Sequence, residues 1–343
     1  MKKIRFGIIG AGRLGNVHAG NLALIDEAEI AGVYDTKAEA AQAMHDKYGA
    51  KIYHSATELA EAADIDGVIV ASPTYCHLEG IRAAVEADKA LFCEKPLTRT
   101  LEDACEALKL LQDYPKVFSV GFVRRYMTKS QKIKQLLTEN LIGKIRYSNV
   151  NLPFGKYARM YGDWFTDFNK CGGVIIDMLA HHVDLANWFF GEAQSVYAAG
   201  MLLDPAQELP SDYAAGIVKY KNGVICNLMC SWQRFGRSDE IMEIYGEKGA
   251  LVMDGSDIIT FYPLNGEKQS IDVGTAVEAA EGVKQVNTGN AFLIEAKHLI
   301  AAVNGESAKD MPTIHDAFRS LEIGLAMIES ARNNSVILLP LKQ

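Results

Sequence analysis

Apolar residues follow two different patterns along the chain. Up to about residue 121, short apolar runs alternate with stretches in which Ala and Leu recur at helical spacing opposite charged residues. The runs predict strands at Ile4–Ile9, Glu29–Tyr34, Lys51–Tyr53, Gly67–Ala71, Ala90–Cys93 and Val117–Gly121, and the stretches predict helices over Lys37–Tyr48, Tyr75–Ala87 and Thr100–Tyr114. Repeated strand–helix alternation predicts a doubly wound parallel sheet, an α/β domain of Rossmann type. After a helix near Thr128–Asn140 the segments lengthen and alternate residue by residue, at Ile145–Leu152, Ser195–Leu203, Tyr213–Tyr220, Val224–Trp232, Glu240–Tyr245, Leu251–Met253, Ile258–Tyr262 and Gln269–Val273. Asn222-Gly223 and Asn265-Gly266 are two-residue hairpin turns, so this part predicts an α+β domain with a large, mostly antiparallel sheet. Two late helices carry apolar faces, one through Phe292, Leu293, Ala296, Leu299, Ile300 and Val303, the other through Phe318, Leu321, Leu325 and Ile328. The expected division is residues 1–122 and 123–343, with the terminal segment free to return to the first domain, and the Ala- and Gly-rich stretch 274–289 is expected to be a mobile loop.

A length of 343 residues agrees with two domains at roughly 150 residues each. With 49% hydrophobic and 23% charged residues, collagen, coiled coil and acidic tail are excluded. The net charge of −8 disfavours phosphate backbones and anionic bilayers, so neither nucleic acid nor membrane is expected as a partner. No apolar run approaches the roughly 18 residues of a membrane span. The apolar start is cut by Arg13 with no small-residue cleavage site after it, and a cytoplasmic protein is expected. Six scattered cysteines without a C-x-x-C pair are expected to be reduced core residues, and no metal site is expected.

Chemistry enters with Gly10-Ala11-Gly12-Arg13-Leu14-Gly15, which follows the first strand and opens a helix. That is the setting of a dinucleotide fingerprint, in which the glycines allow a tight bend, close approach of a pyrophosphate and packing of helix on strand. Asp35 lies 20 residues beyond Gly15 at the end of the second strand, where a carboxylate accepts from the adenosine ribose hydroxyls. A 2′-phosphate there would be repelled by about 4 kcal/mol at roughly 4 Å and an effective dielectric near 20, so NAD is expected in preference to NADP, although Lys37 stands near enough to serve a phosphate. Further along, Asp177 and His181 are four residues apart, stacked on one helical face that Asp184 continues, and an acid beside an imidazole suits proton transfer. His182 points about 100° away and is expected to be core or partner-packing.

Ser72-Pro73 with His77, Phe92-Cys93-Glu94-Lys95-Pro96-Leu97, and Gly172-Gly173 followed by Asp177, His181 and Asp184 resemble the glucose-fructose oxidoreductase / inositol dehydrogenase family (Gfo/Idh/MocA). Its hallmarks are E-K-P after the fifth strand of the cofactor domain and G-G-x(3)-D-x(3)-H-x-x-D. Gly15-Asn16-Val17-His18, Gly121-Phe122-Val123-Arg124-Arg125-Tyr126, Glu295-x-x-His298 and Asp316 extend the resemblance over nearly the whole chain, and its motifs are most similar to the inositol 2-dehydrogenase branch. Asp88, where the family usually has Gly, and Cys171 depart from the pattern.

The resemblance implies an NAD-dependent oxidoreductase that oxidises a secondary hydroxyl of a cyclic polyol or sugar by hydride transfer to nicotinamide, working as a homodimer or homotetramer. It implies that His181 is the general base, that Lys95 stabilises the developing charge on the oxygen, and that Asp177 holds a neighbouring hydroxyl. The expected cofactor set is Gly10, Ala11, Gly12, Arg13, Leu14, Gly15, Asp35, Ser72, Pro73, His77, Glu94 and Lys95. The expected substrate set is Lys95, Arg125, Tyr126, Tyr157, Trp164, Asn169, Asp177 and His181. Another sugar dehydrogenase, an NAD-dependent glycosidase and a non-catalytic sugar or NAD sensor of the same fold are the alternatives.

Overall fold

A computed structural model describes residues 3–153, 163–204, 209–233, 240–256, 258–273, 290–306 and 311–342. The expected loop 274–289 and Tyr157 lie outside the described residues. The described residues form two compact units, one running to Val123 and including Asn290–Phe318, the other running from Arg124 to residue 273 and resuming at Arg319.

The first unit alternates β1 (Ile4–Ile9), α1 (Arg13–Leu22), β2 (Ala28–Tyr34), α2 (Ala38–Tyr48), β3 (Lys51–Ile52), α3 (Ala56–Glu61), β4 (Gly67–Val70), α4 (His77–Glu86), β5 (Ala90–Cys93), α5 (Leu101–Leu111) and β6 (Phe118–Val120). The strands pair in the order β3-β2-β1-β4-β5-β6, all parallel. β4 and β5 are buried at every position, because helices cover both faces of the sheet and leave no polar side for alternation. Asp88 adopts φ 55°, a left-handed conformation that Gly would take without cost and that Asp tolerates better than most residues.

The second unit holds α6 (Thr128–Thr138), β7 (Ile145–Pro153), α7 (Asp163–Thr166), α8 (Phe168–Cys171), α9 (Gly173–Met178), α10 (Ala180–Phe190), β8 (Ala193–Met201), β9 (Tyr213–Tyr220), β10 (Ile225–Ser231), β11 (Ile241–Gly246), β12 (Gly249–Met253), β13 (Ile258–Pro263) and β14 (Gln269–Asp272). Of the late elements, α11 (Ala291–Val303) packs in the first unit through Ala296, Leu299 and Ile300, α12 (Ile314–Asn333) follows it, and β15 (Ile337–Leu338) pairs with β8. The nine strands run β14-β13-β12-β11-β7-β10-β9-β8-β15, antiparallel except for the β7–β10 pair. Both Asn-Gly steps lie in hairpin connections, joining β9 to β10 and β13 to β14, with Gly223 at φ 90° and Gly266 at φ 106°, but the loops are longer than the two residues expected: Tyr220 faces Val224 across the first, and Phe261 and Gln269 are the last pair before the second. One face of this sheet builds the core: Cys226, Leu228 and Cys230 of β10 are buried with Val174 and Ile175 of α9. Both thiols are thereby pushed up, that of Cys226 to about 12, so they behave as apolar packing groups. The other face leaves Ile217, Ile225, Tyr147 and Tyr262 exposed.

Candidate active-site residues

In the first unit the expected cofactor residues converge at the C-terminal ends of β1, β2, β4 and β5. Gly10 sits at φ 98°, and a Cβ there would lie 2.6 Å from the Ser72 nitrogen; a Cβ on Gly15 would lie 1.9 Å from the Gly10 carbonyl oxygen. Gly12, by contrast, has no atom within 4 Å of a Cβ position, so its backbone faces open space. α1 starts at Gly12 with no side-chain cap and no acidic residue in its first turn, which leaves its amide groups and dipole for an anion. Asp35 completes the turn: its carboxylate accepts the Ala11 N–H at 2.7 Å and the Lys37 N–H at 2.8 Å. Each oxygen retains a lone pair for a ribose hydroxyl. The donor set fits NAD: Gly10, Gly12 and Gly15 would admit the pyrophosphate, and Asp35 the adenosine ribose.

Asn16, absent from the expected set, laces this turn by donating to the carbonyls of Ala11 and Gly12 at 2.8 and 2.9 Å. Arg13 is exposed and Leu14 half-buried at the start of α1; Ser72, Pro73 and Lys95 are half-buried at the ends of β4 and β5. Two expected cofactor residues are placed differently. His77 is buried with its ring nitrogens 2.9 Å from the carbonyl oxygens of Pro96 and Ser72. Glu94 is buried against His18, 2.7 Å away. A carboxylate and an imidazole inside a sheet need polar partners, and here other residues of the unit supply them.

In the second unit, α9 and α10 carry Asp177 and His181 and meet at Leu179, which stays in the right-handed helical conformation (φ −74°, ψ −18°) with its N–H on the Ile175 carbonyl and its own carbonyl accepting from Val183. Asp177 is buried and His181 half-buried, one on each side of Leu179. Gly172 and Gly173, at φ 78° and 71°, make the turn into α9, and a Cβ on Gly172 would strike Ile176 at 2.6 Å. Trp164 is half-buried with its ring 3.8 Å from that of Phe165, and Asn169 is exposed on α8.

Arg125, expected on the substrate, is placed against α10. It is buried, its guanidinium forks onto Asp184 with Nε–Oδ2 2.7 Å and Nη2–Oδ1 2.6 Å, and it lies 5.5 Å from the Trp188 ring. Tyr126 is buried beside it in the chain. Asp184 therefore anchors the G-F-x-R-R-Y segment to α10 instead of extending a reactive face. His182 is buried, as its position 100° from His181 predicts, with Nε2 2.8 Å from Glu240, which also binds Arg124. Burial raises the Glu240 carboxyl, but Arg124 and His182 outweigh it and hold the group well below the usual range. Burial lowers the His182 imidazole, against the pull of Glu240. Nothing in the spacing of residues 124, 182 and 240 signals this triad.

An open parallel sheet in this strand order, with a three-glycine turn after β1 and an acidic residue after β2, defines a dinucleotide-binding oxidoreductase. The chain belongs to the GFO/IDH/MocA oxidoreductase family: residues 4–122 match its NAD-binding Rossmann fold and residues 130–252 its C-terminal domain. It is similar to the myo-inositol 2-dehydrogenase of Thermotoga maritima, at 30% identity over 261 residues, 73% of this chain and 75% of the relative. The inositol 2-dehydrogenase of Rhizobium meliloti is 27% identical over 336 residues, 95% of this chain and 96% of the relative. Among solved structures, the WlbA dehydrogenase of Chromobacterium violaceum, in complex with NADH and UDP-GlcNAcA, matches with a TM-score of 0.86 at 26% identity, covering 100% of this chain and 98% of that one.

Proposed function

We propose that this protein is an NAD-dependent dehydrogenase that oxidises a secondary hydroxyl of a cyclic polyol or sugar, with inositols as the first substrates to test. The observation that carries it is the convergence of the open Gly12 backbone, Asp35 and half-buried Lys95 on one end of the parallel sheet. Bound NAD supplies the hydride acceptor. His181 takes the hydroxyl proton as the carbon–hydrogen bond breaks, Lys95 donates to the same oxygen and stabilises its developing charge, and Asp177 accepts from a neighbouring hydroxyl to hold the ring in register. Trp164 and Asn169, near Asp177 in the chain, are proposed as further substrate contacts. A panel of inositols and pyranose sugars with NAD, read by NADH absorbance, tests the activity. His181→Ala should lower kcat by about two to four decades with NAD affinity unchanged; release of free sugar from glycosides without net NADH would replace this reading with the glycosidase one.

We also propose a cytoplasmic homo-oligomer, a dimer or a tetramer, joined through the outward face of the second unit's sheet. That face carries Ile217, Ile225, Tyr147 and Tyr262 exposed at 42–45%, beside a depression of about 590 Å³ lined in part by Ala199, Ala215 and Met229, and contiguous apolar surface of this kind favours association. Among the described residues no helix is long and apolar enough to cross a membrane. Sedimentation as a single species at the monomer mass of 37.6 kDa would overturn the oligomer, and cell fractionation tests the location.

A further inference from the structure

We propose that His18 and His77 are positioning residues for Lys95, bracing the Glu94-Lys95-Pro96 turn from two different helices. The inference rests on the proposed part of Lys95 in the chemistry. His18, on α1, places Nε2 2.7 Å from Glu94 Oε1, with both side chains only 4% exposed. A carboxylate only accepts, so this nitrogen carries the proton. The second Glu94 oxygen accepts the backbone N–H of Lys95 at 3.0 Å. One carboxylate thus ties the lysine's backbone to α1, and a Cβ on Gly121 would crowd that carboxylate at 2.9 Å, so it is enclosed on the β6 side as well.

From α4, the His77 ring spans the carbonyls of Pro96 and Ser72, each at 2.9 Å. Burial lowers this imidazole while its carbonyl partners pull the other way, and both ring nitrogens stay within hydrogen-bond distance of a carbonyl. The residues before and after Lys95 are both buried and each is held by an imidazole; Lys95 alone of the three is half-buried. A plain turn has no need of an enclosed carboxylate, whose desolvation is costly.

The benefit is electrostatic and geometric. Burial raises the Glu94 carboxyl, but His18 and Lys95 outweigh it and keep the group ionised. Glu295, facing from α11, is held protonated by burial and by the charge of Glu94. The titratable groups around the turn, His18, His77, Glu94 and Glu295, therefore leave a single anion beside the Lys95 ammonium. That carboxylate keeps the Lys95 backbone fixed where its amine must meet a negative oxygen.

The test uses the full-length protein. Acetylation of Lys95 by acetic anhydride at pH 8, read by peptide mass spectrometry and normalised to exposed Lys109, needs no substrate. Glu94→Gln, whose single carbonyl oxygen cannot accept from both His18 and the Lys95 N–H, should raise it severalfold as the turn loosens. With NAD and myo-inositol or scyllo-inositol, His18→Leu and His77→Leu should lower kcat about tenfold or more with KM for NAD within about twofold, and His18→Gln, which keeps a donor to Glu94, should restore most of it. If His18→Leu fails to fold, as judged by circular dichroism, the near-isosteric Glu94→Gln and His18→Gln decide through acetylation. Lys95→Met without loss of kcat would overturn the part given to Lys95. Lys95→Met inactive, with acetylation unchanged in Glu94→Gln and kcat unchanged in the histidine variants, would overturn the brace alone.

Discussion

Asp184 ends the second-unit motif, and its structure predicts that it acts through stability. The side chains of Arg125 and Asp184 are 3% and 1% exposed and meet in a two-point fork. Asp184→Ala leaves a guanidinium buried without its counter-ion, a change that costs about 3–5 kcal/mol. For a unit of this size each kcal/mol lowers Tm by roughly 2–4 °C, so the loss should be about 6–20 °C. Arg125→Met with Asp184→Leu removes both charges and should recover much of that loss, giving a coupling of about 2 kcal/mol or more in a double-mutant cycle. All three tryptophans, Trp164, Trp188 and Trp232, lie in the second unit, so intrinsic fluorescence during urea or thermal unfolding follows that unit by itself. A loss below about 1 kcal/mol for Asp184→Ala, or additive single variants, would show that the pair is not the anchor described here.

Three other outcomes follow from the first unit. Gly12→Ala should leave Tm within a degree or so yet weaken NAD binding at least tenfold by calorimetry, whereas Gly15→Ala, whose Cβ would lie 1.9 Å from the Gly10 oxygen, should cost about 1–3 kcal/mol; equal effects on both quantities would refute the division of labour among the glycines. Asp35→Ser with Thr36→Arg should move kcat/KM toward NADP but also lower Tm, because Asp35 holds the N–H groups of Ala11 and Lys37 and losing such bonds costs about 1–3 kcal/mol; unchanged cofactor preference would contradict the part given to Asp35. Glu295, raised well above its ordinary value by burial and by Glu94, keeps its proton folded and releases it unfolded, so its contribution to stability is present below the ordinary carboxyl pKa and is lost as pH rises toward the raised one. Glu295→Gln should therefore gain on the wild type between pH 4 and pH 8 in urea melts, and a difference independent of pH would refute a protonated Glu295.

Where a residue's conformation is decided by its immediate neighbours, the sequence exposed it. The turn at Gly10–Gly15 and both Asn-Gly hairpins depend on backbone angles that few residues adopt, and they appear where the pattern predicts them. α3 is equally legible: Ser55 caps it by accepting the Glu58 N–H at 3.0 Å while Glu58 accepts from His54 at 2.8 Å, and Ser55-x-x-Glu58 is the spacing of a capping box. The parallel β7–β10 pair could not be read, because alternation fixes which face a side chain takes and leaves the direction of the neighbouring strand open.

The same distinction sorts the motif residues. Spacing along the chain puts Asp177 and His181 on adjoining turns, and the backbone keeps its right-handed helical conformation through Leu179, which joins α9 to α10. Arg125, His77 and Glu94 are polar members of recognisable motifs, and each also meets a buried partner. Their partners, Asp184, the Pro96 carbonyl and His18, lie 59, 19 and 76 residues away, and only tertiary contact brings each pair together. A polar residue in a motif meets one of two needs, reacting with a ligand or satisfying another buried group, and both impose the same residue type on the sequence. Lys95 and His181, proposed to act on the reacting oxygen, keep partial exposure, while Asp177, proposed to hold a neighbouring hydroxyl, is as buried as the residues that fix the geometry around them. Exposure therefore marks the two groups that must meet a reacting oxygen, and the buried members of the motifs set the positions in which they act.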